Sequence, residues 1–257
     1  MQQQLYHTVL YLAGCVNILI AMVLLYGNYW FRYYDVYRRA RLLTALNYTI
    51  FGIGILMHGY FQWRLSWPAA ASALTVSYFH CGAVLFGWSH TSLLRPNYLT
   101  HRIVVRDLII LVFGITIYWT CVAFVSTSDY TISLLHNSFL IFFFHASYII
   151  FIFYRTYFQV RRNLNNLPIG DKAPKWWNLK MRKTILSHHH SFIIACHLIV
   201  SFGLGSIALT AAFPHDIWPV TILTMAGIGV FCFIFYSLSE YGNVIEQASC
   251  VTEDAAK

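Results

Sequence analysis

Six of the twelve histidines in this 257-residue chain, His58, His80, His90, His136, His145 and His197, fall in long stretches almost without charge. Imidazole can donate and accept hydrogen bonds, hold a metal or haem iron, or take up a proton near neutral pH. In lipid each of those properties is costly to leave unused, so an intramembrane ionisable group is a functional candidate by default. By position, His80 and His145 lie nearest the middle of their apolar segments, and His197 lies about two turns from one end. Trp88, whose indole N–H needs an acceptor when buried, lies two turns beyond His80. These four residues are the candidate contacts for a stimulus or ligand. His80, His145 and His197 are also the candidates for a haem or metal site. The spacings His80/His90 and His136/His145 are too tight at 1.5 Å per residue to reach both faces of a bilayer, which argues against a two-haem arrangement. His188, His189 and His190 point about 100° apart on a helix and cannot share one metal, so they read as a polar cap at the membrane interface.

Other chemistry is harder to find. The sequence has no HExxH, GxSxG or phosphate-binding loop and no paired carboxylates within an apolar stretch. Asp107 and Glu240 read as sitting at segment ends, so no acidic residue is expected inside to run a proton relay. No catalytic residue is expected, nor is an enzyme. Central prolines of the kind that break transporter helices are missing too. The cysteines Cys15, Cys81, Cys121, Cys196 and Cys232 lie in apolar segments and Cys250 in the tail, without CxxC spacing, and read as free thiols.

The elements that must position these side chains are membrane helices. The chain is 58% hydrophobic and 10% charged, against about 25% charged for a soluble domain. Seven segments approach the roughly 20 residues needed to cross hydrocarbon: Thr8–Tyr26, Leu42–Gln62, Ala69–Leu94, Leu108–Ser126, Ser133–Tyr154, Ser191–Phe213 and Trp218–Leu238. The expected fold is all-α, a single seven-helix bundle over residues 1–242, followed by a cytoplasmic tail at 243–257. Short links should make helices two and three, four and five, and six and seven antiparallel neighbours.

Arginine and lysine fall on alternate connections. Arg32, Arg38, Arg39 and Arg41 follow the first span; Arg95, Arg102 and Arg106 follow the third; and eight bases occupy Arg155–His190 after the fifth. The opposite connections carry one base, Arg64. Positive residues stay cytoplasmic, which places the amino terminus outside and the carboxyl terminus inside. The surplus positive charge therefore needs no nucleic acid to explain it, and the bilayer is the expected partner. Within the long basic connection, Arg155–Leu164 should continue the fifth helix. Lys175–His190 reads either as a helix lying in the headgroup layer or as a plain start to the sixth span. Glycines on several spans permit close helix approach, and a homodimer is one candidate assembly.

Several stretches on the basic side taken together resemble a known arrangement. They are Tyr37-Arg38-Arg39-Ala40-Arg41-Leu42-Leu43, Ser77-Tyr78-Phe79-His80-Cys81 and Ser92-Leu93-Leu94-Arg95-Pro96-Asn97-Tyr98. With Arg102-Ile103-Val104-Val105-Arg106-Asp107 and Tyr157-Phe158-Gln159-Val160-Arg161-Arg162-Asn163-Leu164, they resemble the seven-helix amino-terminal region of membrane-bound AraC-type transcriptional regulators. That resemblance implies a sensor in the bacterial inner membrane that transmits to an output domain or a cytoplasmic partner. The DNA-binding domain of such regulators has no counterpart within these residues, so direct nucleic-acid contact is not expected. The expected output surface is Arg161, Arg162 and Leu164 with Glu240 and Gln247. No cofactor is expected under the sensor reading. A haem- or metal-binding redox protein is the first alternative, and a small transporter or membrane enzyme, with a hydrated cavity among spans two, three and five, is the second.

Overall fold

The computed structural model describes the backbone of residues 2–27, 35–124, 129–165, 179–213 and 216–254, and side chains from 129 to 133, from 163 to 189 and beyond 242 lie outside the description. Among the described residues nine helices are seen: α1 (Gln2–Gly27), α2 (Asp35–Phe61), α3 (Trp63–Ser66), α4 (Pro68–Leu94), α5 (His101–Phe124), α6 (Asp129–Ser138), α7 (Leu140–Asn165), α8 (Leu179–Ala212) and α9 (Ile217–Asp254). Among the described residues there is no strand. Seven stretches are long and apolar enough to cross a membrane, with α6 and α7 joining into one of them across Leu134–Arg162. The molecule fits a multi-pass membrane protein. Its outer surface agrees: Leu12, Leu19, Ile109, Val112, Phe144 and Ile222 are all more than half exposed, and hydrocarbon is the solvent that suits them.

Helix α4 occupies the middle, with 21 of its 27 residues buried. It packs against α2, α7, α5 and α8. Proline at its first turn suits a helix start, where the missing N–H has no partner to lose. Its run of Ala69, Ala70, Ala71, Ser72 and Ala73, then Gly82 and Gly87, lets neighbours come close on every side. By contrast α5 is peripheral and buries only Asp107, Gly114, Tyr118, Cys121 and Val122, a stripe of helical spacing. The expected pairings of spans two with three and six with seven are present. Spans four and five also meet, α5 mainly on α6, while α5 and α7 each pack more on α4 than on one another.

The basic-side helices continue past the hydrocarbon. Helix α7 runs on to Asn165, as expected for Arg155–Leu164. The backbone from Leu179 onward is part of α8, which matches a plain start to span six for that portion. At 38 residues α9 is about 57 Å long, well beyond a hydrocarbon core of about 30 Å. Two tyrosines of α2 hold α9: Tyr48 donates to the Phe231 carbonyl at 2.6 Å and Tyr37 to the Leu238 carbonyl at 2.8 Å.

Helices α1 and α2 cross at a glycine pair. A Cβ on Gly14 would sit 3.2 Å from the Gly52 carbonyl oxygen, and one on Gly52 would sit 3.1 Å from that of Gly14. Backbone cannot yield as a side chain can, so both positions exclude larger residues. Valine at Gly14 or Gly52 is expected to destabilise the bundle by roughly 1–3 kcal/mol. Alanine at Gly205 or Gly229, where a Cβ meets nothing within 4 Å, should be neutral or stabilising by up to about 1 kcal/mol. Thermal unfolding in one detergent reads all four variants.

Candidate functional site

Three helices, α4, α5 and α7, bring a polar chain into the centre of the bundle. It starts at Asp107, two turns into α5, whose carboxylate is fully buried. Span assignment from sequence puts this residue at a segment end; in the structure it lies inside, and the expectation of no internal acid is corrected. The apolar stretch extends back past it, to His101, because Ile103, Val104 and Val105 continue the hydrophobic run. Arg106 donates to Asp107 Oδ1 through Nε at 2.8 Å, and a second guanidinium nitrogen lies 2.7 Å from the same oxygen. Trp88 of α4 donates its indole N–H to Oδ2 at 2.8 Å. Arg106 also donates to the Tyr148 hydroxyl at 2.7 Å, and its guanidinium lies over that ring. Beside it in the α4–α5 link, burial and the Asp107 charge push the Tyr98 hydroxyl up to about 12, so Tyr98 stays neutral.

Beyond Asp107 the chain passes through two imidazoles. His145 Nε2 on α7 lies 3.6 Å from Asp107 Oδ1, a short ionic approach rather than a hydrogen bond. His145 Nδ1 lies 2.9 Å from His80 Nε2 on α4, and His80 Nδ1 lies 3.1 Å from the Tyr118 hydroxyl on α5. His80 is fully buried and His145 almost so. One proton order satisfies both hydrogen bonds. The nearby carboxylate favours N–H on His145 Nε2, which leaves His145 Nδ1 as acceptor. His80 then donates from Nε2 and accepts on Nδ1 from Tyr118. The order runs Tyr118, His80, His145, with one proton per hydrogen bond and an N–H turned toward Asp107.

The backbone makes room for this chain at one point. A Cβ at Gly114 would stand 2.9 Å from His80 Cε1 and 3.1 Å from both His80 Nδ1 and the Tyr118 oxygen. Gly114 lies between Asp107 and Tyr118 on the single buried stripe of α5. That stripe is the sequence signal for the residues missed from sequence, Asp107, Gly114 and Tyr118: 107, 114, 118 and 121 recur at 7, 4 and 3, one face of a helix.

The chain runs along α5 for about 16 Å, eleven residues of helix. One end, at Arg106, is partly exposed on the side of the bundle that carries Arg95 and Arg102. The other ends at Tyr118, fully buried and edge-on to Phe139. His80, His145 and Trp88 thus come together as one constellation. His197 does not join them. It stacks on Tyr154 and hydrogen-bonds its hydroxyl at the exposed α7–α8 seam. Among the described residues no three His, Cys, Asp or Glu side chains converge as metal ligands. Of the remaining histidines, His90 bonds the Phe86 carbonyl and stacks between Phe86 and Phe192. Arg161 and Arg162 are exposed on α7 and Glu240 is half-buried on α9, whereas the side chains of Leu164 and Gln247 lie outside the described residues.

Asparagine at Asp107 keeps the shape but removes the charge that orders the chain. It should cost about 1–3 kcal/mol, mainly through the partners left unmatched at Trp88 and Arg106. Alanine at Gly114 should displace the His80 ring. Histidine NMR of the labelled protein is expected to show altered tautomer signals for both His80 and His145 in Gly114→Ala. Unchanged signals would mean that the ring contacts do not depend on that glycine.

No family model matches this chain, and no curated protein or solved structure is detectably similar to it.

Proposed function

We propose that this chain is a sensor module of the bacterial inner membrane, the membrane part of an AraC-type regulator or a free-standing relative. Its sensing element is the proton-ordered chain Tyr118–His80–His145–Asp107. The observation that carries this reading is a buried relay open at one end only. A conduit would need a second exit; a one-ended chain can take up or reorder a proton, and a sensor requires no more. The basic connections set the orientation, with the amino terminus outside and Arg106 near the cytoplasm.

The switch follows from the proton order. A proton added at His145 Nδ1 makes it a donor facing another donor, His80 Nε2–H. The clash is avoided if the proton on His145 Nδ1 is the one His80 held on Nε2 and the incoming proton ends on His80 Nδ1, where it meets the Tyr118 oxygen. The Tyr118 hydroxyl must find another acceptor. One proton thus disturbs α7, α4 and α5 together, while the Asp107 carboxylate steadies the new positive charge. Only a stimulus that prefers one of the two orders can shift the balance between them. Helix α7 carries His145 and, further along, Arg161 and Arg162, so the change reaches the expected output surface along one rigid element.

The test uses nanodiscs and a background free of native cysteines, with spin labels at Arg38→Cys and Arg161→Cys. Acidification is expected to change the label-to-label distance in the parent, and the change should vanish in both His80→Asn and His145→Asn. A distance indifferent to pH, or a change that persists in both variants, would refute the reading. Proton flux through reconstituted vesicles, abolished by the same substitutions, would replace the sensor by a conduit.

A further inference from the structure

Arg64 does not behave as a loop charge. The helix before it ends at Gln62 in the left-handed conformation (φ 52°, ψ 29°), and the short α3 folds Arg64 back into the bundle, where only 3% of its surface is exposed. None of its three guanidinium nitrogens has a hydrogen-bond partner among the described residues. Asp216, exposed at the start of α9, adds a favourable field but forms no ion pair with it. Burial pulls the guanidinium below its usual pKa, yet arginine remains charged in proteins. A buried charge without a counter-charge costs several kcal/mol, so something absent from the chain itself must balance it.

The place for that counter-charge is a cavity of about 50 Å³ between α1, α2, α4, α8 and α9. Five buried nitrogen and oxygen atoms without a partner among the described residues belong to residues lining it: the three of Arg64, Asn17 Oδ1 and Ser206 Oγ. Thr75 and His58 add a polar wall. The single Thr75 proton goes to the Ala71 carbonyl at 2.8 Å, so His58 Nε2–H donates to the Thr75 oxygen at 3.0 Å. Leu10, Ile55 and Ile228 supply an apolar wall. Phe51, Phe79 and Phe231 close the floor, with ring centroids 5.0 and 5.2 Å apart.

We infer that this cavity binds a small monocarboxylate, its carboxylate on the Arg64 guanidinium and its short alkyl group against Leu10, Ile55 and Ile228. The chemistry selects it. A guanidinium fork matches the two oxygens of a carboxylate, and one cation in an otherwise apolar site balances one negative charge, not two. The volume sets the size. A cavity of about 150 Å³ accommodates benzene with its six heavy atoms, so one of about 50 Å³ takes only an acid of one or two carbons, formate or acetate. The aromatic floor stops a longer chain. The site lies at the end of the bundle opposite Arg106 and is independent of the polar chain around His80.

The experiment is a titration of the purified full chain in nanodiscs with sodium acetate, read by tryptophan fluorescence, since Trp63 and Trp67 flank Arg64. A saturable change is expected with formate and acetate. Acetamide, decanoate, phosphate and sulfate should be at least tenfold weaker. Arg64→Gln should weaken acetate at least tenfold. Ser206→Leu, which fills the cavity and leaves Arg64 in place, should do the same and covers the case in which Arg64→Gln fails to fold. No saturable response to acetate would overturn the site. So would an undiminished response in the folded variants, equal binding of acetamide or phosphate, or tighter binding of decanoate.

Discussion

Helix α4 has no side that faces lipid, and most of the architecture follows from that. A helix enclosed by four others must carry small residues wherever a neighbour crosses it, and must match internally most of the polar groups it presents. Both demands are visible in its sequence. Alanine and glycine allow the approach of α2 and α7, while Thr75, His80, Ser89 and Trp88 each find a partner on an adjacent helix or in their own backbone. In water these hydrogen bonds would compete with solvent. In a medium without donors or acceptors they specify which helix packs where, because a rotated α4 would strand several of them at once.

The same helix serves two distinct sites. His80 and Trp88 enter the chain with His145 and Asp107, and Thr75, a turn and a half earlier, enters the cavity beneath Arg64. Both sites combine a buried charge with neutral polar groups, and they differ in how the charge is matched. Asp107 has its arginine next to it in sequence and an indole across the helix interface. Arg64 has no ion pair, and the groups that favour its charge, Tyr6, Tyr78 and Asp216, act only through space. The first is a closed arrangement whose internal order can change. The second is left incomplete by the chain.

The reading of the sequence was strongest where lipid imposes length and charge rules. Seven spans and the alternation of basic connections follow from hydropathy and arginine placement, and the structure has helices at all seven. Depth along a span was also legible, which is why His80, His145 and Trp88 stand out in the sequence and meet in the structure. Depth does not reveal rotation, however. His197, nearer one end of its span, is also within an apolar stretch, yet it faces the exposed seam beside Tyr154. Asp107 and Arg64 were missed for a related reason. Both flank apolar segments, where charges are ordinarily solvated, and only tertiary packing shows that one is enclosed by α4 and α7 and the other folded inward by the turn at Gln62.

The two tyrosine bonds from α2 to α9 lie on one line, since Phe231 and Leu238 are two helical turns apart and Tyr37 and Tyr48 three. A seam fastened at two heights acts as a door hinge. Turning α9 about its own axis, or driving it lengthwise like a piston, would tear both fastenings, whereas swinging it about the seam would spare them. Motion of the long terminal helix is therefore channelled sideways, towards or away from α8, and its far end would sweep an arc that grows with every turn beyond Leu238.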